Sequence, residues 1–170
     1  MVIKIRRANE KDAKIVHDFE IALQKETHDL YKNGKFKEFA KLELPDIKKY
    51  TVKDYTKWLE STKNKTDVEL NKIWYVAEES GKIVGDIYAE IRCDEGMLVK
   101  DRGYINSLYI LKNHRKKGYA KKLLAAVLAW FKKKKIKHLY LNVDLLNTPA
   151  EKLYKKFGFK SCKYEMHLEF

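Results

Sequence analysis

Hydrophobic and polar positions follow two different periods along the chain, and the change of period divides it near residue 72. After a short alternating strand over residues 2–7, the apolar positions recur at helical spacing, as at Val16, Phe19 and Leu23. This spacing predicts one helix from an Asn9 cap, with Asp12 completing a capping box, to about residue 28, and a second helix over about 51–62. Residues 29–50 show no clear period, and Pro45 breaks any helix there.

The second half of the chain alternates in the manner of strands, with two amphipathic helices between the later ones. Ser80-Gly81 predicts a hairpin between the first two strands, and residues 93–103 are expected to form a loop. One helix begins at Gly118 and ends near residue 135, and the other is capped by Asn147 and ends at Gly158. The predicted strands are 73–79, 82–92, 104–111, 137–143 and 163–170.

This order of elements predicts the fold. The hairpins imply antiparallel neighbours, whereas the strand–helix–strand unit over 104–143 implies a right-handed crossover between two parallel strands. We therefore expect an α/β (α+β) fold with a mixed sheet, mostly antiparallel with one parallel pair, and helices on both faces. A chain of 170 residues suits one domain, with an N-terminal strand and helices in 1–72 and a core in 73–170.

Composition narrows the class of protein. The formal net charge of +13 favours polyanionic partners such as nucleic acid, an acidic membrane surface or a phosphorylated ligand. The N-terminus lacks the apolar block of a signal peptide, and no apolar run approaches membrane-spanning length, so we expect a cytoplasmic protein that does not engage a membrane. Cys93 and Cys162 are isolated from each other and from histidine clusters, which predicts reduced thiols and no metal site.

The stretch "HRKKGYAKKLL" over residues 114–124 places five cations where a helix begins, which is normally the unfavourable end for positive charge. A bound anion would account for them, because the first helical N–H groups lack partners and Gly118 lets a ligand approach the backbone closely. The stretch matches neither a Walker loop nor G-x-G-x-x-G, which favours a phosphorylated ligand other than a nucleoside triphosphate or a plain dinucleotide. The alternative is a solvated, lysine-rich turn.

Two motifs resemble those of one family. "INSLYILKNHRKKGYAKKLL" resembles the central motif of the GNAT superfamily of acyl-CoA-dependent N-acetyltransferases, a strand followed by [RQ]-x-x-G-x-[GA] at the start of a helix. "NVDLLNTPAEKLYKKFGF" resembles the second motif of that superfamily through Asn147, Ala150, Tyr154, Gly158 and Phe159. The resemblance covers residues 73–170 and is only architectural over 1–72.

The resemblance implies acetyl-CoA as co-substrate and an amine as acceptor. The strand edge would pair with the pantetheine arm, the N–H groups from Lys116 to Lys121 would bind the pyrophosphate, and Asn147 would contact the arm from the other side. The implied cofactor-binding residues are Leu108, Tyr109, Ile110, Arg115, Lys116, Lys117, Gly118, Tyr119, Ala120, Lys121 and Asn147.

The resemblance also implies that Tyr154 protonates the leaving thiolate, although its apolar neighbours alone would favour core packing. Some members carry a glutamate base where this chain has Asn106, which cannot accept a proton usefully, and Tyr104 lies on the same face. Glu90 is therefore the candidate base, and Asp86 is expected to be a solvent-facing strand acid. Bulk water as the base stays open.

The acceptor is expected between the first helices and the loop 93–103, and no motif selects a protein N-terminus, a lysine, a polyamine or an aminoglycoside. One alternative is a catalytically inactive CoA-binding regulator. A second is a basic nucleic-acid-binding module, suggested by "FKKKKIKHLYL" and disfavoured because cations complement the dipole at a helix C-terminus. A homodimer through the C-terminal strand stays open, since nothing in the sequence requires it.

Overall fold

Five strands lie side by side in the order in which they occur along the chain, within residues 3–32, 50–93 and 95–163 that the computed structural model describes. The strands are β1 (Ile3–Arg7), β2 (Lys72–Glu79), β3 (Lys82–Cys93), β4 (Asp101–Ile110) and β5 (Leu139–Leu141). The helices are α1 (Ala13–Lys32), α2 (Val52–Ser61), α3 (Tyr119–Lys133) and α4 (Thr148–Lys156).

The predicted mixed sheet is confirmed. Neighbouring strands from β1 to β4 are antiparallel, and β4 and β5, joined through α3, are parallel. Ser80 and Gly81 both have positive φ, of 51° and 78°, as a two-residue hairpin turn of type I′ requires. β4 begins three residues before the predicted start, because its pairing with β3 continues as far as Asp101 opposite Cys93.

Helices cover both faces of the sheet, as expected. Helices α1 and α2 pack on one face, where Val16 and Leu59 meet Trp74 and Val76 in one apolar cluster. Helices α3 and α4 pack on the other face, around a second cluster that includes Ile87 of β3. Because successive strand residues point to opposite faces, Asp86, Tyr88 and Glu90 share the α1–α2 face.

The helix starts differ in how their first N–H groups are satisfied. Asn9 and Asp12 form the predicted capping box ahead of α1, Thr51 has a similar box, and the Asn147 side chain accepts from the N–H of Ala150 at 3.2 Å. Helix α3 follows Gly118, whose φ is 84°, and has no side-chain cap. The uncapped helix is the one that the sequence marks as an anion site.

The last predicted strand and the segment around Pro45 fall on residues that the structure does not describe. The strand predicted over 163–170 lies outside the described residues from 164 onwards, as does the whole segment around Pro45. Cys93 and Cys162 are free thiols, and both are exposed. Within the described part of the chain, none of the helices combines the length and the apolar character that crossing a bilayer demands.

Candidate active site

Strands β4 and β5 pair over a short stretch and then separate. β5 pairs only with Gly103, Tyr104 and Ile105, whereas β4 continues to Ile110. At the point of separation Asn106 is an extra residue, because Ser107 pairs with Tyr88 of β3 and Ile105 pairs with Ala89. Such a bulge bends the strand, so the second half of β4 has an edge that β5 does not cover.

The hydrogen-bonding pattern shows which backbone groups this open edge presents. The N–H of Leu111 donates to the carbonyl of Val84 at 2.9 Å, and antiparallel pairing alternates residue by residue. Tyr109 therefore directs its backbone groups to β3, whereas Leu108 and Ile110 direct theirs to the side of β5. Of the three predicted edge residues, Leu108 with both backbone groups and Ile110 with its N–H face the open edge, whereas the carbonyl of Ile110 accepts from Arg115 and Tyr109 pairs with β3.

The loop after β4 has the backbone of an anion site. Lys116 and Gly118 have positive φ, of 62° and 84°, and a Cβ built on Gly118 would meet no atom within 4 Å. The first helical bond runs from the N–H of Lys122 to the carbonyl of Gly118, so the N–H groups of residues 119–121 have no intrahelical partner. These groups point out of the N-terminus of α3, where its dipole also favours a negative charge.

A buried carboxylate at the end of β2 holds this loop in place. Glu79, the last residue of β2, accepts a hydrogen bond from the Tyr119 hydroxyl, and its Oε2 lies 3.2 Å from His114 Nε2 and 3.7 Å from Lys117 Nζ. The hydrogen bond from Tyr119 and the nearby charges of Lys117 and His114 hold the pKa of Glu79 below its usual value, although burial opposes this. Glu79 is thus ionised and orders the start of α3.

A second carboxylate holds the loop from the side of α1. Glu26 accepts from Arg115 Nη2 at 2.6 Å and from the Tyr109 hydroxyl at 3.1 Å, and Arg115 Nε donates to the carbonyl of Ile110 at 2.9 Å. Carboxylates thus already pair with Arg115 and Lys117, and contact of the cations with a phosphate stays a prediction. The other lysines within residues 114–124 form no ion pair with any described residue; they are Lys116, Lys121 and Lys122.

Tyr154 of α4 lies buried in the cluster that also includes Ile110 and, at its margin, Leu108. Its hydroxyl makes no hydrogen bond to any residue that the structure describes, and its ring contacts that of Phe159. Burial raises the pKa of Tyr154 to about 12. The hydroxyl therefore keeps its proton at neutral pH and is free to donate it.

The two other predicted catalytic residues share one partner. Arg92 donates through Nε to Glu90 at 2.7 Å and through Nη2 to the Asn106 side chain at 2.8 Å. Burial would raise the pKa of Glu90, but hydrogen bonds from Arg92 and Tyr88 and the charges of Arg92 and Lys72 outweigh it and leave this pKa below its usual value. Glu90 in this arrangement is a weak base.

The expectation for Asp86 is wrong, since this carboxyl is completely buried beneath α1 and α2 rather than facing solvent. Trp74 Nε1 donates to Asp86 Oδ2 at 2.6 Å. Because side chains alternate along β3, Asp86 points to the face that α1 and α2 cover, and its place in the middle of the sheet buries it.

Sequence reasoning missed the residues that hold the site together: Glu26, Glu79 and Arg92. Each is an ordinary surface type, and each acts on a residue far away in the chain. The sequence predicted side-chain partners only in the capping box of Asn9 and Asp12, because those two residues lie three positions apart.

A sequence model of the acetyltransferase (GNAT) family matches residues 36–159, which is most of the chain. The chain belongs to this GNAT family. An N-alpha-acetyltransferase of Sulfurisphaera tokodaii is 32% identical in an alignment of 105 residues that covers 58% of this chain and 63% of that protein. The match therefore spans less than two thirds of that relative's length.

Solved GNAT structures share the fold over nearly the whole chain. The PaiA N-acetyltransferase of Thermoplasma acidophilum, solved with coenzyme A, has a TM-score of 0.72 at 19% identity, covering 97% of this chain and 94% of its own. The aminoglycoside N-acetyltransferase AAC(6')-Iy, solved with CoA, has a TM-score of 0.66 at 17% identity, covering 99% of this chain and 95% of its own. At these identities the likeness establishes the fold.

Proposed function

We propose that this GNAT protein transfers an acetyl group from acetyl-CoA to a primary amine by direct attack of the amine on the thioester. The observation that carries the proposal is the open edge of β4, which leads directly to the uncapped start of α3. The backbone groups of Leu108 and the N–H of Ile110 suit the amides of a pantetheine arm, and the N–H groups around Gly118 suit its diphosphate. One strand edge and the helix that follows it would thus bind the pantetheine arm and the diphosphate of the same ligand.

The reaction needs an acid at the sulfur, because a thiolate leaves more easily when it is protonated as the carbon–sulfur bond breaks. Tyr154 fits this role, since its hydroxyl is protonated at neutral pH and has no partner among the described residues. Asn147 precedes the same helix, and in this proposal it donates to the pantetheine arm. Its side-chain oxygen accepts from the N–H of Ala150, which leaves its amide N–H groups as the donors.

The acceptor class that we test first is the α-amino group of a peptide. The Sulfurisphaera relative that supports it is named an N-alpha-acetyltransferase and is 32% identical to this chain over the matched region. The aminoglycoside enzymes resemble the chain in fold at 17% identity, so they support only a secondary test with sisomicin or a related compound. Polyamines such as spermidine form the third arm.

Gly118 provides the decisive variants for CoA binding. Gly118→Glu places a carboxylate in the open space beside the uncapped N–H groups, and we expect acetyl-CoA binding measured by calorimetry to fall at least about 100-fold. Gly118→Ala carries the same backbone strain, about 1–2 kcal/mol, without the charge. Ala125→Glu is the charge control, since this exposed residue lies seven positions further along α3, about 10 Å away.

The outcomes separate the competing functions. Undetectable binding of acetyl-CoA to the wild-type protein at millimolar concentration would overturn the proposal, and salt-sensitive binding of oligonucleotides in its place would favour the nucleic-acid module. Binding with no transfer to peptide, polyamine or aminoglycoside would favour the inactive regulator. Equal loss of affinity in Gly118→Glu and Ala125→Glu would show that α3 does not bind the diphosphate.

A further inference from the structure

A line of polar residues runs along α1 on the side where the acceptor is expected. His17, Glu20, Gln24, Thr27 and Tyr31 recur at steps of three and four, so they share one face of the helix. At the end of this line the Tyr31 hydroxyl donates to Asp144, in the segment after β5, at 2.7 Å. The line therefore runs from the middle of the sheet to the separated ends of β4 and β5.

This polar face meets polar residues of the sheet. Asp86 of β3 is fully buried, and Ser107 of β4, next to the bulge, is 7% exposed. Asp86 Oδ1 and the Ser107 hydroxyl are both buried without a hydrogen-bond partner of normal geometry, and so is His17 Nδ1. Buried polar atoms in folded proteins are almost always satisfied, so unpaired atoms gathered in one place indicate a site that binds protons, water or a polar ligand.

Glu20 and Asp86 are the two acids of this cluster. Glu20 is partly exposed and lies within reach of the Ser107 hydroxyl, whereas Asp86 lies behind it, held by Trp74. Within the described residues, no lysine or arginine forms an ion pair with either carboxyl, in contrast to Glu26, Glu79 and Glu90. Two carboxyls close together without a cation bind protons more tightly than isolated ones.

We propose that the Glu20–Asp86 pair accepts the proton that the amine must lose, with Glu20 as the outer carboxylate and Asp86 as the positioning residue behind it. This inference rests on the proposed acetyl transfer. It gives the reaction a base that the Arg92-bound Glu90 and the amide of Asn106 do not supply.

The proton balance is complete. The ammonium gives one proton to Glu20, and the neutral amine then attacks the thioester carbon. The carbon–sulfur bond breaks, its electron pair goes to sulfur, and sulfur takes the proton of Tyr154. The new amide nitrogen loses its second proton to solvent, Tyr154 regains one from solvent, and Glu20 releases the first to solvent.

The surroundings favour a high proton affinity. Burial raises the pKa of Glu20, opposed by the nearby Ser107 hydroxyl and His17, and burial together with the charge of Glu20 raises the pKa of Asp86. The other titratable groups that sense the pair are tyrosines, Tyr55 of α2 and Tyr88 of β3, and both have raised pKa values. A base with a raised pKa is better matched to an α-amino group, whose ordinary pKa is about 8.

The test compares Glu20→Gln with Asp18→Asn, which removes the same charge from a partly exposed position of α1, where Asp18 lies 2.7 Å from Lys14 Nζ and 3.9 Å from His17 Nδ1. The probe is a peptide with a free N-terminus, and initial rates are followed from pH 6 to pH 10. We expect Glu20→Gln to lower kcat/KM at pH 7 by about 100-fold. The deficit should shrink above about pH 9, where the amine is already neutral. Acetyl-CoA affinity should not change.

Asp86→Asn has a distinct signature. It leaves Glu20 without a second carboxyl with which to share a proton, so the coupled titration of the pair becomes a single titration and the acidic limb of the kcat/KM profile changes. Glu20→Asp, which keeps a carboxylate, should retain the acidic limb with a smaller loss of kcat, and it serves if Glu20→Gln does not fold.

The two proposals fail in different ways. Wild-type protein that binds acetyl-CoA and acetylates no amine overturns both of them. Wild-type transfer with a Glu20→Gln profile that superimposes on that of Asp18→Asn overturns only the role of the pair. Carbon NMR of the labelled carboxyls adds a readout without turnover, since normal titration of both Glu20 and Asp86 would also overturn it.

Discussion

Tyr154→Phe tests the chemistry of the site, because the structure separates the catalytic and structural effects of one hydroxyl. The Tyr154 side chain is buried and its hydroxyl has no hydrogen-bond partner among the described residues, so its removal breaks no hydrogen bond within that part of the protein. We therefore expect phenylalanine to change the free energy of unfolding by no more than about 0.5 kcal/mol. Loss of the acid should lower kcat by about 100-fold, equivalent to about 2.7 kcal/mol.

Tyr75→Phe is the matched control. The Tyr75 hydroxyl donates to Asp67 at 3.2 Å, far from the open edge of β4, so its removal costs a hydrogen bond of about 1 kcal/mol. For a chain of this length, that is a fall of about 2–4 °C in Tm. Turnover should be unaffected. The two variants thus delete the same atom and should give opposite results in the two measurements.

The assays are release of CoA thiol with saturating amine at pH 8, and unfolding in urea. The acid must be protonated to act, and burial raises the pKa of Tyr154 to about 12, so kcat should stay level as the pH rises from 8 to 10. A Tyr154→Phe enzyme within twofold of the wild-type kcat would refute the role of the hydroxyl. A loss of stability as large as that of Tyr75→Phe would show that the hydroxyl is a structural donor.

Two further predictions concern the groups around the site. Arg115→Ala and Glu26→Ala should show a coupling of about 0.5–1 kcal/mol in a double-mutant cycle of unfolding free energy, and equal losses of acetyl-CoA affinity, because the Arg115 guanidinium anchors the loop through Glu26. A much larger affinity loss for Arg115→Ala would identify it as a phosphate ligand. Asp86→Asn should gain stability relative to wild type as the pH rises from 5 to 8. The raised pKa of Asp86 means that its stabilising effect is full below the pKa of the unfolded chain and is lost as the pH rises through the folded pKa. A difference independent of pH would show that Asp86 titrates normally.

Patterns within the sequence were sufficient wherever the physics is local. The capping box of Asn9 and the cap at Asn147 join groups three residues apart, and the Ser80-Gly81 turn depends on two backbone conformations. The uncapped start of α3 behind Gly118 is local in the same sense, since the helix itself leaves its first N–H groups free. The hairpin turn contributed to the prediction of the mixed sheet, and the uncapped start of α3 is the basis of the predicted anion site.

Only the tertiary structure decided what each charged side chain does. Glu79 and Glu90 are both glutamates on neighbouring strands, yet Glu79 orders the loop before α3 while Arg92 neutralises Glu90. Asp86 and Glu20 lie far apart in the chain and meet because α1 crosses β3 and β4. The reason is physical. A hydrophobic period reports which face of an element is buried, whereas the effect of a charge depends on every element that comes within a few ångströms of it.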